Sequence, residues 1–125
     1  MLFDTDVLIW ALRGNFKAAE VIDRCEDRFI SAVTYMELIQ GARNKAEQKM
    51  IKDFLVSLSF RTVPIDENIS LRATVFMEEF CLKSGMGLAD ALIFATASEH
   101  TMTLCSANKK HYKEIVSLST KEFRP

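Results

Sequence analysis

A three-layer α/β/α fold, built on a central, mostly parallel sheet of four or five short strands, is what this sequence predicts. Three observations lead there. Short apolar segments alternate along the chain with longer ones whose apolar residues recur at steps of three and four, the spacing of one helix face. Short apolar strands separated by helices imply a parallel sheet with helices on both faces. Four glycines and two prolines in 125 residues leave no visible linker, repeat or low-complexity tract, so 1–125 reads as a single domain, long enough for one real core.

In chain order, Met1-Leu2-Phe3 is a buried strand ending at Asp4, and Thr5 is placed to cap a helix through about Arg13. Phe29-Ile30-Ser31 forms a second strand. Helical patterns follow at 34–43 and 46–58, the latter with Ala46, Met50, Ile51, Phe54, Leu55 and Leu58 on one face. Residues 60–65 read as a strand stopped by Pro64. The segment 66–83 is the clearest helix, with Ile69, Ala73, Phe76, Met77 and Phe80 on one stripe. After Gly85-Met86-Gly87, residues 88–98 make an alanine-rich helix able to lie close against a sheet. Residues 101–105 form a further strand and 115–118 the last one.

Composition bounds the function. Hydrophobic residues at 49% and charged ones at 26% exclude disordered and fibrous classes. The apolar runs are far too short to span a bilayer, and Asp4 and Asp6 interrupt any signal-peptide pattern, so a cytoplasmic protein without a membrane role is expected. The three residues before Asp4 make so short a first strand that a few upstream residues are expected to be missing. A net charge of −1 gives no global attraction to nucleic acid, but residues 65–100 carry six acids against two bases and residues 101–125 two acids against five bases. Cys25, Cys81 and Cys105 are odd in number and widely spaced. They read as reduced core thiols, and neither they nor His100 and His111 have zinc-ligand spacing.

In a parallel α/β sheet, ligands bind beyond the carboxyl ends of the strands. Four polar groups fall where that crevice belongs. Asp4-Thr5-Asp6 follows the first strand; helix capping accounts for Thr5 and Asp6 but leaves Asp4 at the edge of a core. Thr34-Tyr35-Met36-Glu37 also fits a capping box, in which Glu37 reaches back to the Thr34 amide. Asp90 is the only charge between Lys83 and Glu99, in a segment otherwise suited to burial, where an unpartnered carboxylate is expensive. The run Ser106-Ala107-Asn108-Lys109-Lys110-His111-Tyr112 follows the 101–105 strand and reads otherwise as a solvated loop entering a short helix.

Together these segments resemble the PIN-domain ribonucleases, and within them the VapC-type toxins of prokaryotic toxin–antitoxin pairs. The resemblance covers nearly the whole chain: Asp-Thr-Asp-Val-Leu-Ile from Asp4, Ser-Ala-Val-Thr-Tyr-Met-Glu-Leu from Ser31, Leu-Ala-Asp-Ala-Leu-Ile from Leu88, and the Ser-Ala-Asn-Lys-Lys-His-Tyr turn from Ser106. Each motif is only moderately specific; their order and separation carry the resemblance. It implies Asp4, Glu37 and Asp90 as metal-binding acids. At the fourth position, often aspartate in the family, this chain has Asn108, with Ser106 two residues before it. Asp6, where the family often has an uncharged polar residue, is a candidate to compensate. The resemblance further implies hydrolysis of RNA to a 5′-phosphate and a 3′-hydroxyl, a homodimer, and a VapB-type antitoxin that fills the acidic groove.

The chemistry agrees with these residue types. Carboxylates converging in one place raise one another's pKa unless a cation intervenes. Mg²⁺ takes oxygen ligands and keeps several waters, and Mn²⁺ accepts the same donors. Such an ion acidifies water and neutralises charge developing on a phosphodiester. Asn108 and Ser106 are candidates to bind phosphate or a metal water. Lys109, Lys110, His111 and Arg43, with Arg13 and Lys17, are candidates for backbone phosphates, and Trp10, Tyr35 and Tyr112 for base stacking. Trp10 and Leu12 could equally serve the dimer or antitoxin contact. Two other readings remain open: a PIN-fold binding module weakened in turnover by Asn108, and a haloacid-dehalogenase-type phosphatase with Asp4 as nucleophile and Asp6 as general acid. The second has Leu8 where that motif usually has threonine or valine, and lacks the paired late aspartates.

Overall fold

The computed structural model describes residues 1–125. Its elements are β1 (Leu2–Phe3), α1 (Thr5–Leu12), α2 (Phe16–Asp23), β2 (Phe29–Ser31), α3 (Ala32–Gln40), α4 (Lys45–Ser57), β3 (Arg61–Val63), α5 (Glu67–Ser84), α6 (Leu88–Glu99), β4 (Leu104–Ser106), α7 (Lys109–Tyr112) and β5 (Thr120–Glu122). The strands form one sheet of order β3-β2-β1-β4-β5, parallel at every pairing. The chain steps from β1 outward to β2 and β3, then returns to the other side of β1 to lay down β4 and β5. The winding therefore reverses between β1 and β4, paired at Leu2↔Leu104 and Phe3↔Cys105. Such a reversal opens a crevice at the carboxyl ends of the two strands.

Successive strand side chains point to opposite faces, and this divides the core. Leu2 and Leu104 point to one side and join Ile69, Phe76, Ile93 and Phe94 of α5 and α6. Phe3 and Cys105 point to the other and join Leu8, Ile22, Leu38 and Leu55 of α1 to α4. The three layers match the expected architecture. In α6, the fully buried Ala91, Ala95 and Ala97 keep the helix close to its neighbours. No helix is long and apolar enough to cross a membrane.

Several local expectations are corrected. Helix α2 was not expected; only Ala18 and Ile22 of its eight residues are buried, too few to print a period, although Asn15 caps it by accepting from the Ala18 amide at 2.9 Å. The last strand is not 115–118: Ile115 and Leu118 enter the core outside any strand, and β5 is the edge segment Thr120–Glu122, exposed throughout. The fourth strand lies later than 101–105, so Ser106 ends it. Helix α3 starts at Ala32, capped by Ser31 Oγ on the Val33 amide at 3.1 Å, and no capping box forms at Thr34. Asp4, not Thr5, caps α1.

Helix α5 shows both ends specified locally. Asp66 Oδ1 accepts from the Ile69 amide at 2.9 Å, and Gly85 closes the helix at φ +74°, where a side chain is strained. Asp66→Ala is expected to lower unfolding free energy in urea by about 1 kcal/mol. No change in the midpoint would remove the cap from the account.

Candidate active site

The crevice at the β1/β4 reversal is a cleft of about 480 Å³ lined by Asp4, Thr5, Asp6, Ile9, Trp10, Glu37, Asp90, Ala107 and Asn108. Each acid arrives on a different support. Asp4 leaves β1 as its backbone amide donates to Cys105 of β4 at 2.9 Å. Its carboxylate is 4% exposed, with Oδ1 accepting from the Thr5 amide at 2.8 Å and Oδ2 from Ser106 Oγ at 2.7 Å. The Ser106 hydroxyl in turn accepts from the Asn108 amide at 2.9 Å, so Asp4 is fixed by both strands.

Glu37 comes in from α3. Thr5 Oγ1 donates to Glu37 Oε1 at 2.7 Å and stands 3.0 Å from Thr34 Oγ1, which ties α1 to α3. Asp90 sits in the first turn of α6, where Asn108 Nδ2 donates to its Oδ2 at 3.0 Å. Asp6 turns toward the β4 loop: Oδ2 accepts from the Ala107 amide at 3.0 Å, while Oδ1 is buried without a partner.

The electrostatics follow from this crowding. Burial pushes the Asp4 carboxyl up to about 7, with further upward pressure from Asp6 and Asp90 and only partial relief from Ser106 and Thr5. Burial also raises Asp6, with Asp90 adding to it, while the Ala107 and Val7 amides draw it back. Asp90 is raised by burial and partly restored by the Asn108 amide and the nearby His111.

The expected carboxylates thus meet at one cleft, but they line its walls; no three His, Cys, Asp or Glu side chains form a ready-made metal cage. The donor set still fits a hard cation: all four acids offer oxygen, no Lys, Arg or His lines the cleft, and Asp6 Oδ1 lacks a donor. Mg²⁺ keeps several waters, so it needs few protein ligands.

The other candidates divide. Ser106 is fully buried behind Asp4, so it orients that carboxylate and presents no surface for phosphate. His111 stands near Asp90 with Nδ1 buried and unpartnered. Lys109 and Lys110 are exposed outside the cleft, Lys109 lying 3.6 Å from Glu122. Arg43 pairs with Glu47 at 2.8 Å and lines, with Arg13, an adjoining cleft that shares Ile9 and Glu37 with the acidic one. Lys17 lines a separate pocket near β5. Tyr112 is buried in the core and so cannot stack bases, and Tyr35 packs against the core on the α1-to-α4 side. Trp10 reaches the cleft rim, 36% exposed. Sequence reasoning assigned Thr5 to capping and missed its grip on Glu37; a hydroxyl between two crevice acids was the available signal.

Comparison with known proteins identifies the family. The family model described as the PIN domain matches residues 1–115. Ribonuclease VapC10 of Mycobacterium tuberculosis is 36% identical over 116 residues, covering 90% of this chain and 85% of that protein. A solved toxin–antitoxin complex from Klebsiella pneumoniae contains a chain with TM-score 0.78 and 30% identity, covering 98% of this chain and 98% of that one. A chain in VapBC-1 from nontypeable Haemophilus influenzae shares the fold, with TM-score 0.80 at 23% identity and coverage of 97% and 96%. With nearly its whole length matched and an acidic crevice at the strand reversal, this chain belongs to the PIN-domain family.

Proposed function

We propose that the protein is a metal-dependent endoribonuclease of the VapC type, a toxin that hydrolyses RNA phosphodiesters at the acidic cleft and is neutralised by a VapB-type antitoxin. The observation that carries this reading is a cleft with four carboxylates on its walls and no cationic side chain among its lining. The names of the ribonuclease and toxin–antitoxin relatives support the substrate and the partner.

Asp4, Glu37 and Asp90 would hold Mg²⁺ or Mn²⁺. When bound, the ion supplies Lewis-acid chemistry, acidifying water and neutralising charge on a phosphodiester. The chain's own groups set the geometry. Ser106 and the Thr5 amide keep the Asp4 carboxylate in one orientation, Thr5 Oγ1 holds Glu37, and Asn108 holds Asp90. Burial and the neighbouring acids raise the Asp4 carboxyl to about 7, so a bound cation would be the natural partner of its ionised form. Arg13 and Arg43, which line the adjoining cleft, would meet backbone phosphates. The chain acts in the cytoplasm as a homodimer in this reading.

The test is cleavage of a mixed RNA by the purified protein with Mg²⁺ or Mn²⁺, with both new ends mapped. Metal-dependent cuts bearing a 5′-phosphate and a 3′-hydroxyl are expected. Cleavage undiminished in EDTA, or none on any RNA, would overturn the reading. Thr5→Val, which keeps the side-chain shape, is expected to lower cleavage by roughly 10–100-fold by freeing Glu37, with the fold retained by circular dichroism. Unchanged activity would show that Glu37 needs no anchor.

A further inference from the structure

Resting on the metal-nuclease reading, we propose that Asp6 is the fourth carboxylate of this site, supplying from α1 the charge that Asn108 does not supply from the loop after β4. Three observations carry it. The Asp6 carboxylate is seated against that loop, because its Oδ2 accepts from Ala107, the residue next to Asn108, at 3.0 Å. Its Oδ1 is buried and has no hydrogen-bond partner, although it belongs to a residue of the cleft wall. The Asn108 amide is committed elsewhere, donating Nδ2 to Asp90 Oδ2 at 3.0 Å.

The two positions thus divide the work. An aspartate at 108 would set a second negative charge against Asp90; the asparagine instead orients it. The carboxylate that faces this loop is Asp6. The first turn of α1 favours a negative charge at Asp6 but supplies no hydrogen bond to Oδ1. Fold stability does not explain that oxygen either, because a buried carboxylate oxygen without a donor is destabilising. A bound cation gives that oxygen its partner.

The experiment is Mn²⁺ binding by isothermal titration calorimetry on the full chain at pH 7.5, with folding followed by circular dichroism. Asp6→Asn keeps an oxygen for the Ala107 amide and removes only the charge. It is expected to weaken Mn²⁺ binding by roughly 10–100-fold, and adding Asn108→Asp to it should recover most of the loss. Asn108→Asp should help more in the Asp6→Asn background than in the parent, the coupling a shared role demands. If Asp6→Asn does not fold, Asp6→Ser takes its place in the same cycle. Parent-like binding by the Asp6 variant, while Asp4→Asn loses the ion, overturns this assignment and leaves the nuclease reading standing. Equal gains from Asn108→Asp in both backgrounds overturn it too. A parent chain that takes up no Mn²⁺ overturns both.

Discussion

Asp4→Asn is expected to lower metal-dependent RNA cleavage by about three orders of magnitude while leaving the fold intact. The substitution preserves shape, and the Thr5 amide still finds an oxygen where Asp4 Oδ1 now accepts at 2.8 Å. What disappears is one full charge from the best-enclosed carboxylate of the cleft, 4% exposed and fixed by both β1 and β4. Removing one preorganised electrostatic group from such a centre costs roughly 10²–10³ in turnover, and Asp4 is asked both to hold the cation and to fix its place relative to Glu37 and Asp90. Sequencing RNA ends in cells expressing parent and variant checks the same point: new ends should vanish with Asp4→Asn, and likewise with Asp90→Asn. Cleavage within tenfold of the parent would remove Asp4 from the centre. Equal losses of activity and of thermal stability would mean that the variant reports folding, not chemistry.

Most of this fold was legible because its information is local or periodic. Apolar strands at Leu2-Phe3 and Phe29-Ile30 and the stripe through Ile69, Ala73, Phe76 and Phe80 all follow from burial written into the chain. What escaped was written elsewhere. Helix α2 buries too little to show a period, and β5 is held by pairing with β4 while all three of its residues face solvent. Ile115 and Leu118 looked like a strand because burial without regular structure leaves the same apolar mark. At the site, Asp4, Glu37 and Asp90 could be singled out as charges where charge is costly. Their fixing groups could not, because Thr5, Ser106 and Asn108 act across separations of 32, 102 and 18 residues. Capping and function also proved compatible: Asp4 caps α1 with one oxygen and faces Ser106 with the other.

The second large effect is a loss of stability as pH rises in the absence of divalent metal. The Asp4 carboxyl has a folded pKa of about 7 against a reference of 3.8. Between those values the folded chain binds more protons than the unfolded chain, so unfolding free energy falls with pH. The stabilisation is complete below about pH 3.8 and lost as pH climbs through 7. At about 1.4 kcal/mol per unit, the change is of order 4 kcal/mol, or roughly 10 °C or more in melting temperature for a domain of this size. Asp6 and Asp90 are raised by burial too and act in the same direction. Melts in EDTA from pH 5 to pH 8 should show the upper two units of the decline, roughly 3 kcal/mol of it. Saturating Mn²⁺ should reverse most of it, because a cation binds the ionised carboxylates of the folded state, and its benefit should grow with pH. Asp4→Asn should flatten the metal-free slope and make the chain more stable than the parent at pH 8, since it removes a buried charge that only a cation can offset. An inactive variant that melts higher is the signature of residues kept for chemistry at the expense of the fold. A parent whose metal-free melting temperature is level from pH 5 to pH 8 would mean that the Asp4 carboxylate is already compensated within the protein, and the need for a cation would fall with it.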